Sequence, residues 1–377
     1  MRMRPSDRYS RGRYTYWFGY ALLLGMILAP IPSLCQDNSS IPAAQIPSLL
    51  SAVRNVHHLT FGNEPVPLDN QEIRERFEKE LLLTLWNRPQ VILWIKRSAR
   101  YFPLIEKMLK EADLPDDLKY VAVVESALRP HIRSSKGAVG YWQFIKPTGL
   151  KYDLRIDRDI DERRNLFAAT RAAIAYFKDL YDIFGTWALS AAGYNMGEQG
   201  LQAEVLIQQI DDYYRLYLPL ETQRYLFRIL TAKLILEAPR AYGFFVTETD
   251  LYPPLDADRI SISRTEEIPV QTLAQAADTS FKTIKDLNPQ IRGHYLAPGS
   301  HTLLIPNGMA KGFESRLEKR MAQLTSTNRN RVYIVQTGDT LTGIAEQFNV
   351  PLTALLIWNR LDYRKSIHPG DRLMIHP

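Results

Sequence analysis

The C-terminal third of this chain repeats itself. Shifted by 71, residues 273–306 lie on 344–377 without a gap. Ala274 falls on Ala345, Asn288 on Asn359, Pro298 on Pro369, Gly299 on Gly370 and Pro306 on Pro377. Apolar positions track as well: Leu273 with Ile344, Phe281 with Leu352, Ile284 with Leu355, Leu296 with Ile367. A repeat constrains the fold strongly, because each copy must be one supersecondary unit. The recurring Asn and Pro-Gly punctuate that unit. "VQT" precedes each copy, at 270–272 and 335–337, so the first copy reads as lacking the equivalent of residues 338–343. Each unit reads strand, helix, helix, strand; in the second these are "VYIVQ", "LTGIAEQFN", "PLTALLIWN" and "HPGDRLMIH". The predicted boundaries are 268–306 for a degenerate unit, 307–330 for a charged helix and polar linker, and 331–377 for a complete unit.

Upstream the period is helical. "QEIRERFEKELLLTLWN" spaces Ile73, Phe77, Leu81 and Leu85 on one face. "RPQVILWIKRSARYFPLIEKMLKEADLP" predicts further helices, broken near Pro103 and Pro115. Pro115 with Asp116 and Asp117 suits a first helical turn, the carboxylates lying on the positive dipole end. That helix stops before Pro130. In "NLFAATRAAIAYFKDLYDIFG", positions 166, 170, 173, 177, 180, 181 and 184 form one stripe if Thr170 counts by its methyl, and Gly185 ends it. "TWALSAAGYNMG" reads as a short buried helix and its exit, and "LPLETQRYLFRILTAKLIL" as another amphipathic helix. Residues 70–240 are therefore predicted as one all-α domain, entered through an irregular segment at 36–69.

The N-terminus has a separate character. The net charge of the 377 residues is +6, but Arg2, Arg4, Arg8, Arg11 and Arg13 face only Asp7 within the first 35. The remainder is close to neutral, so nucleic acid is not an expected partner. The Arg-rich start runs into "YWFGYALLLGMILAPIP" and then polar "QDNSS", the layout of a secretory signal over 1–35. Closed by Pro30 and Pro32, the apolar run is short for a membrane span. An uncleaved anchor and a lipoprotein are the alternatives, so membrane association stays open. Cys35 is the only cysteine. Leu34 before it and Pro32 three back suit lipidation poorly, whereas "SLC" suits cleavage after Cys35. The mature chain would then have no disulfide in an oxidising compartment. The expected product is a monomer secreted across the inner membrane to the periplasm or cell envelope.

One charged residue is out of place in the helical domain. In "VAVVESALRP", residues 121–130, Glu125 closes an apolar run. Leu118, Val121, Ala122 and Glu125 share one stripe, so the carboxyl faces inward. A half-buried carboxyl resists ionisation and can donate a proton near neutral pH, as glycosidic cleavage requires. The plainer reading is a helix-end glutamate paired to Arg129. "SSKGAVGYWQF", residues 134–144, then offers Gly137 and Gly140 for a tight backbone path. Tyr141 and Trp142 have flat faces that suit a sugar ring or a core, the core being the better reading for Trp142 alone, and Gln143 is a two-sided amide. "AAGYN" ends a small-residue helix with Tyr194 and Asn195 and could bring the Tyr194 hydroxyl beneath Glu125. The seven histidines are scattered apart from His57–His58, with no metal-ligand spacing. No phosphate loop appears, and neither metal nor cofactor is expected.

These stretches resemble the family 1 lytic transglycosylases. Glu125–Ser126, "S-x-x-G-A-x-G-x-W-Q-F" at Ser134–Phe144, "P-x-T-G" at Pro147–Gly149 and "A-x-Y-N-x-G" at Ala192–Gly197 carry the likeness. "IDERRNLFAAT" and "LPLETQRYLFRIL" look like the membrane-bound D branch, and the C-terminal repeat resembles LysM modules. The resemblance implies a mainly α chain: a lysozyme-like all-α catalytic domain followed by small βααβ LysM modules. Peptidoglycan glycan strands are the implied substrate, cut at the MurNAc–GlcNAc β-1,4 bond without water. Glu125 is implied as acid and then base, giving 1,6-anhydroMurNAc ends. Ser126, Ser134, Trp142 and Gln143 are implied near the sugar, with Tyr194 orienting Glu125 and Asn195 supporting its loop. Glycan binding is implied around Gly338, Asp339, Thr340 and Leu341, with Ile367 and Pro369. Asp157, Asp159 and Asp161 read as solvated or capping; one of them serving as a second carboxylate would suit a hydrolytic muramidase. Two departures stand out: Gly193 precedes the Tyr, and the first LysM-like copy has no "GDTL".

Overall fold

The computed structural model describes residues 47–328, 332–362 and 364–375. The signal reading of 1–35, with Cys35, lies outside the described residues. Among those described, no helix is long and apolar enough to cross a membrane.

Three hydrophobic cores organise the described residues. The first is helical: α1 (Leu49–Arg54), a hairpin of β1 (Thr60–Phe61) and β2 (Glu64–Pro65), α2 (Gln71–Trp86), α3 (Arg88–Glu111), α4 (Lys119–Ser126), α5 (Lys146–Lys151), α6 (Leu166–Phe184), α7 (Trp187–Met196), α8 (Glu198–Gln208) and α9 (Leu220–Glu237). Local signals set the ends. The Asn70 side chain accepts from the Glu72 and Ile73 N–H groups to open α2, and Asn165 accepts from Ala168 to open α6. Gly185, at φ 71°, closes α6. Ile73, Phe77, Leu81 and Leu85 are buried, as their spacing predicts.

Two expectations fail here. Pro103 does not break its helix; α3 runs through it, with Phe102 and Ile105 buried on either side. The burial of that face outweighs the roughly 3 kcal/mol that an interior proline costs. The described part of 36–69 is not irregular either: Val53, Val56, Phe61, Val66 and Leu68 join the first core. Asp117 pins the hairpin instead of only facing a helix dipole. Its carboxylate accepts from the Gly62 N–H at 2.8 Å and pairs with Lys233 of α9 at 2.7 Å.

The second core gathers β3 (Ala257–Arg264), β4 (Ile268–Pro269), α10 (Val270–Ala276), α11 (Phe281–Leu287), β5 (Tyr295–Leu296), β6 (Gly299–Pro306) and α12 (Phe313–Asn328). Phe313 and Leu317 are buried in it, so α12 belongs to this unit rather than to a linker. The third core is β7 (Val332–Ile334), α13 (Leu341–Gln347), α14 (Leu352–Trp358) and β8 (Arg372–Met374).

The two units are related as the repeat predicts in their helices, α10 falling on α13 and α11 on α14 at the offset of 71. Their strands are displaced from it. Ile260 faces Leu303 across β3–β6, as Tyr333 faces Leu373 across β7–β8. The first unit therefore starts at β3, ahead of the expected 268. The "VQT" at 270–272 opens α10, whereas that at 335–337 leaves β7, so the match is accidental. No residues are missing; the connection from Ile262 to Val270 is two residues longer than that from Val335 to Leu341. The repeated asparagine has a structural cause. Asn288 donates to the carbonyls of Ile284 and Leu304 and accepts from the Leu304 N–H. Asn359 makes the same bonds to Leu355 and Met374. One amide, buried at Asn288 and half-buried at Asn359, thereby joins helix to strand in each unit.

Candidate active site

Helix α4 is short because Ala127 and Leu128 turn left-handed, at φ 52° and 57°. Glu125 thus sits in the last turn, above Leu118, Val121 and Ala122, all 0% exposed. It opens on a groove lined by Glu80 and Thr84 of α2, Asn87, Gln90 and Trp94 at the start of α3, and Arg129, Arg224 and Arg228. Burial raises its pKa from 4.5 to about 7, while a hydrogen bond from Tyr225 and the charge of Arg228 pull it back down. The Tyr225 hydroxyl donates to Glu125 Oε1. Burial, then the Glu125 charge, holds the Tyr225 pKa well above its usual value, so it remains a donor. Arg129 does not pair with Glu125; its Nε donates to the Ser126 carbonyl at 3.1 Å. The helix-end ion pair is absent.

Tyr194 does not orient Glu125 by a hydrogen bond. Its hydroxyl donates to the Trp142 carbonyl at 2.7 Å, and its ring stacks on Phe177 at 4.7 Å. It does lie near: after burial, the Glu125 charge is the next influence raising its pKa. Tyr225 takes the orienting position instead. Sequence reasoning missed it because a tyrosine on the apolar face of α9 reads as core. The available signal was Arg228 one turn on, a charge on the face that carries a buried hydroxyl.

Two further expectations change, for Trp142 and Ser126. Trp142 is 0% exposed, so neither face can meet a sugar. Its Nε1 donates to Thr170 Oγ1 at 3.0 Å, which explains the threonine in the α6 stripe. The Ser126 hydroxyl, 3% exposed, is committed to the Tyr141 carbonyl at 2.7 Å. Asn195 Oδ1 accepts from the Thr222 hydroxyl at 2.9 Å, tying the end of α7 to α9. Gly193 is explained by space: a Cβ there would lie 2.9 Å from both Leu180 and Phe184 of α6.

The loop 134–144 is held from outside. Arg163 Nη1 donates to the carbonyls of Gly137 and Phe144 at 3.1 and 3.2 Å, and Asp161 grips that guanidinium at 2.8 and 2.9 Å. Gly140, at φ 89°, would place a Cβ 1.7 Å from the Arg163 carbonyl oxygen, so only glycine fits. Ser134 Oγ accepts from the Ala138 N–H at 3.1 Å. Gln143, itself left-handed at φ 51°, donates to the carbonyls of Ile132 and Gly140. Both keep part of their surface exposed. The nearby aspartates have structural uses. Asp157 accepts from the Asp159 and Ile160 N–H groups, and Asp159 pairs with Arg360. The other carboxylate in the groove, Glu80, is held by Arg224. In the second unit Gly338 is left-handed at φ 91°. Asp339 accepts from the Tyr333 hydroxyl and the Gln336 N–H, and Thr340 caps α13. Leu341 and Ile367 pack partly on the third core, while Pro369 is exposed.

Family profiles match three stretches: the transglycosylase SLT domain over 102–214, the LysM-like domain of lytic transglycosylase MltD over 257–322, and the LysM domain over 333–375. Membrane-bound lytic murein transglycosylase D of Escherichia coli K12 is 30% identical over 321 residues, covering 81% of this chain and 69% of its own. The chain belongs to that family. It is a lytic transglycosylase of the SLT type. The fold is the mainly α one expected, a lysozyme-like helical domain followed by small βααβ units. The counterpart from E. coli O6:H1 gives the same 30% identity over the same coverage. A solved structure of an inactive mutant of the lytic transglycosylase Slt from Pseudomonas aeruginosa is 20% identical, covering 40% of this chain and 26% of its own at a TM-score of 0.27, too slight a likeness to bear on the fold. The 257–322 match takes in β3 and most of α12, the two elements that the repeat alone placed outside the first unit.

Proposed function

We propose that this transglycosylase cleaves the MurNAc–GlcNAc β-1,4 bond of peptidoglycan without water and leaves 1,6-anhydroMurNAc ends. The observation that carries this is Glu125 itself: a groove carboxyl with a pKa of about 7, beside a hydroxyl donor. Near neutral pH a good share of it is protonated, so it can give its proton to the leaving glycosidic oxygen as the C1–O bond breaks. The carboxylate left behind, steadied by Tyr225, then takes the proton of the C6 hydroxyl as O6 bonds to C1. Glu125 ends as it began. An intramolecular attack needs no second carboxylate to activate water and gains effective molarity. In support, Glu80 is neutralised by Arg224, and Asp157, Asp159 and Asp161 serve the backbone or an arginine.

Ser134 and Gln143 would meet the sugar from the loop, and Tyr194 would shape the floor behind Glu125. The second unit would hold the glycan through the loop Gly338–Leu341 and through Ile367–Pro369, keeping the enzyme, acting as a monomer, on the wall. The relatives' description as membrane-bound supports an envelope location.

Digestion of purified sacculi, with the glycan ends weighed by mass spectrometry, tests the reading. Anhydro ends are expected. Ends heavier by one water would make the enzyme a muramidase. No release, with Glu125→Gln binding sacculi as well as the wild type, would leave a binding protein.

A further inference from the structure

The two repeat units differ at one edge. In the first, β4 and β5 are zipped together: Ile268 pairs with Leu296, Pro269 with Tyr295, and the Val270 N–H donates to the His294 carbonyl at 2.8 Å. Ile268, Val270 and Leu296 are 1% exposed or less. In the second unit the matching stretches are 339–341 and 366–367. Among the described residues no backbone hydrogen bond joins them, and Thr340 and Ser366 are exposed. The edge open in the second unit is therefore sealed with apolar side chains in the first.

The first unit also grips the catalytic part. Ile160 lies on the catalytic chain between α5 and α6, yet its side chain is 1% exposed within the second core. Ile160 bridges to Ile291. The Asp161 N–H donates to the Gln290 carbonyl at 2.9 Å, and the Arg292 N–H to the Asp159 carbonyl at 2.8 Å. Lys285 braces the gripping loop by donating to the Ile291 and Gly293 carbonyls. The segment so held continues into Asp161 and Arg163, the pair that fixes the carbonyls of Gly137 and Phe144. Arg360 of the second unit adds a third tie. Its guanidinium pairs with Glu267 at 2.6 Å and Asp159 at 3.4 Å, and lies over the Tyr295 ring.

We propose that residues 257–322 are an intramolecular clasp, which does not read glycan but braces the 155–163 segment and, through Arg163, the substrate loop 134–144. The glycan half of this rests on the proposed role of the second unit; the bracing half does not.

Hydrogen exchange on the full chain, read by mass spectrometry, tests both halves. Ile160→Ala should speed exchange about tenfold or more in 288–296 and in 134–144, with Ile160→Val restoring it and α2 and α9 staying slow. Unchanged exchange at 134–144 in Ile160→Ala would overturn the bracing. Should Ile160→Ala fail to fold, Arg292→Ala, which removes only the side-chain bond to the Asp157 carbonyl, should speed exchange in the same two stretches, and no change there would overturn the bracing equally. In Glu125→Gln protein, chitotetraose should protect 338–341 and 366–369 while leaving 267–270 and 294–298 unchanged. Protection of the latter pair would overturn the sealed edge. Protection of neither pair would sink the second unit's glycan role and uphold the sealed edge.

Discussion

Glu125→Gln should stabilise the protein, and only at higher pH. Burial moves the Glu125 pKa from 4.5 to about 7. One pH unit corresponds to about 1.4 kcal/mol between the two protonation states. Ionising Glu125 inside the fold is therefore about 3 kcal/mol harder than ionising it in the unfolded chain. The sign follows from the folded value lying above the unfolded one. Below about pH 4.5 both states are protonated and nothing is lost. As pH climbs towards 7 the unfolded chain ionises first, and stability drains away until the folded carboxyl also ionises. Glutamine has the same shape, can still accept from Tyr225, and does not ionise. The variant should match the wild type near pH 4.5 and exceed it by up to about 3 kcal/mol at pH 8. Urea unfolding of both proteins across that range, followed by far-ultraviolet circular dichroism, gives the difference, in which the titration of all other groups cancels. A gain independent of pH, or a loss at pH 8, would refute the claim that burial is what holds this proton.

Tyr225→Phe removes a hydrogen bond that favours the carboxylate. The alkaline limb of kcat/KM against pH should therefore move up by about one to two units, given about 1.5–3 kcal/mol for a hydrogen bond to a charged group; a limb that stays or falls counts against the orienting role. Gly140→Ala should yield no folded protein, since its Cβ would strike the Arg163 carbonyl, whereas Gly137→Ala, at φ 80° with open space around it, should cost only about 1 kcal/mol in thermal unfolding. Equal melting temperatures for the two would remove the close approach from the account. Arg224→Ala leaves Glu80, 4% exposed, without its partner; a loss of about 2–4 kcal/mol is expected, largely recovered when Glu80→Gln is added.

What the sequence disclosed follows the range of each interaction. The helices of the first core were legible because burial repeats every turn, and Ile73, Phe77, Leu81 and Leu85 report it without help from the rest of the chain. Pro103 misled for the complementary reason. Its local cost is fixed, but the packing of Phe102 and Ile105 that outweighs it comes from distant elements. In the repeat, the helices and the asparagine kept their offset because each must satisfy the same neighbours. The strands did not, since a short strand is specified mainly by its partner, and "VQT" has no partner in common between the units. Ile260 and Tyr333 correspond because they face Leu303 and Leu373, a fact that no local match reveals.

The same reasoning separates Glu125 from the other carboxylates near it. All of them are plausible acids when read in sequence, because the residue type is the same. What differs is the partner. Asp161 meets a guanidinium and Asp157 meets two backbone N–H groups, so each is fixed in place, and Asp157 is also favoured as an anion. Glu80 is likewise held by Arg224. Glu125 lies on an apolar face whose burial outweighs both the Tyr225 hydrogen bond and the field of Arg228, so its proton is retained near neutral pH. The chemistry is set by what the fold brings around each carboxylate: for Glu125 an apolar face that holds the proton, and a hydroxyl that orients it from Tyr225, 100 positions along the chain.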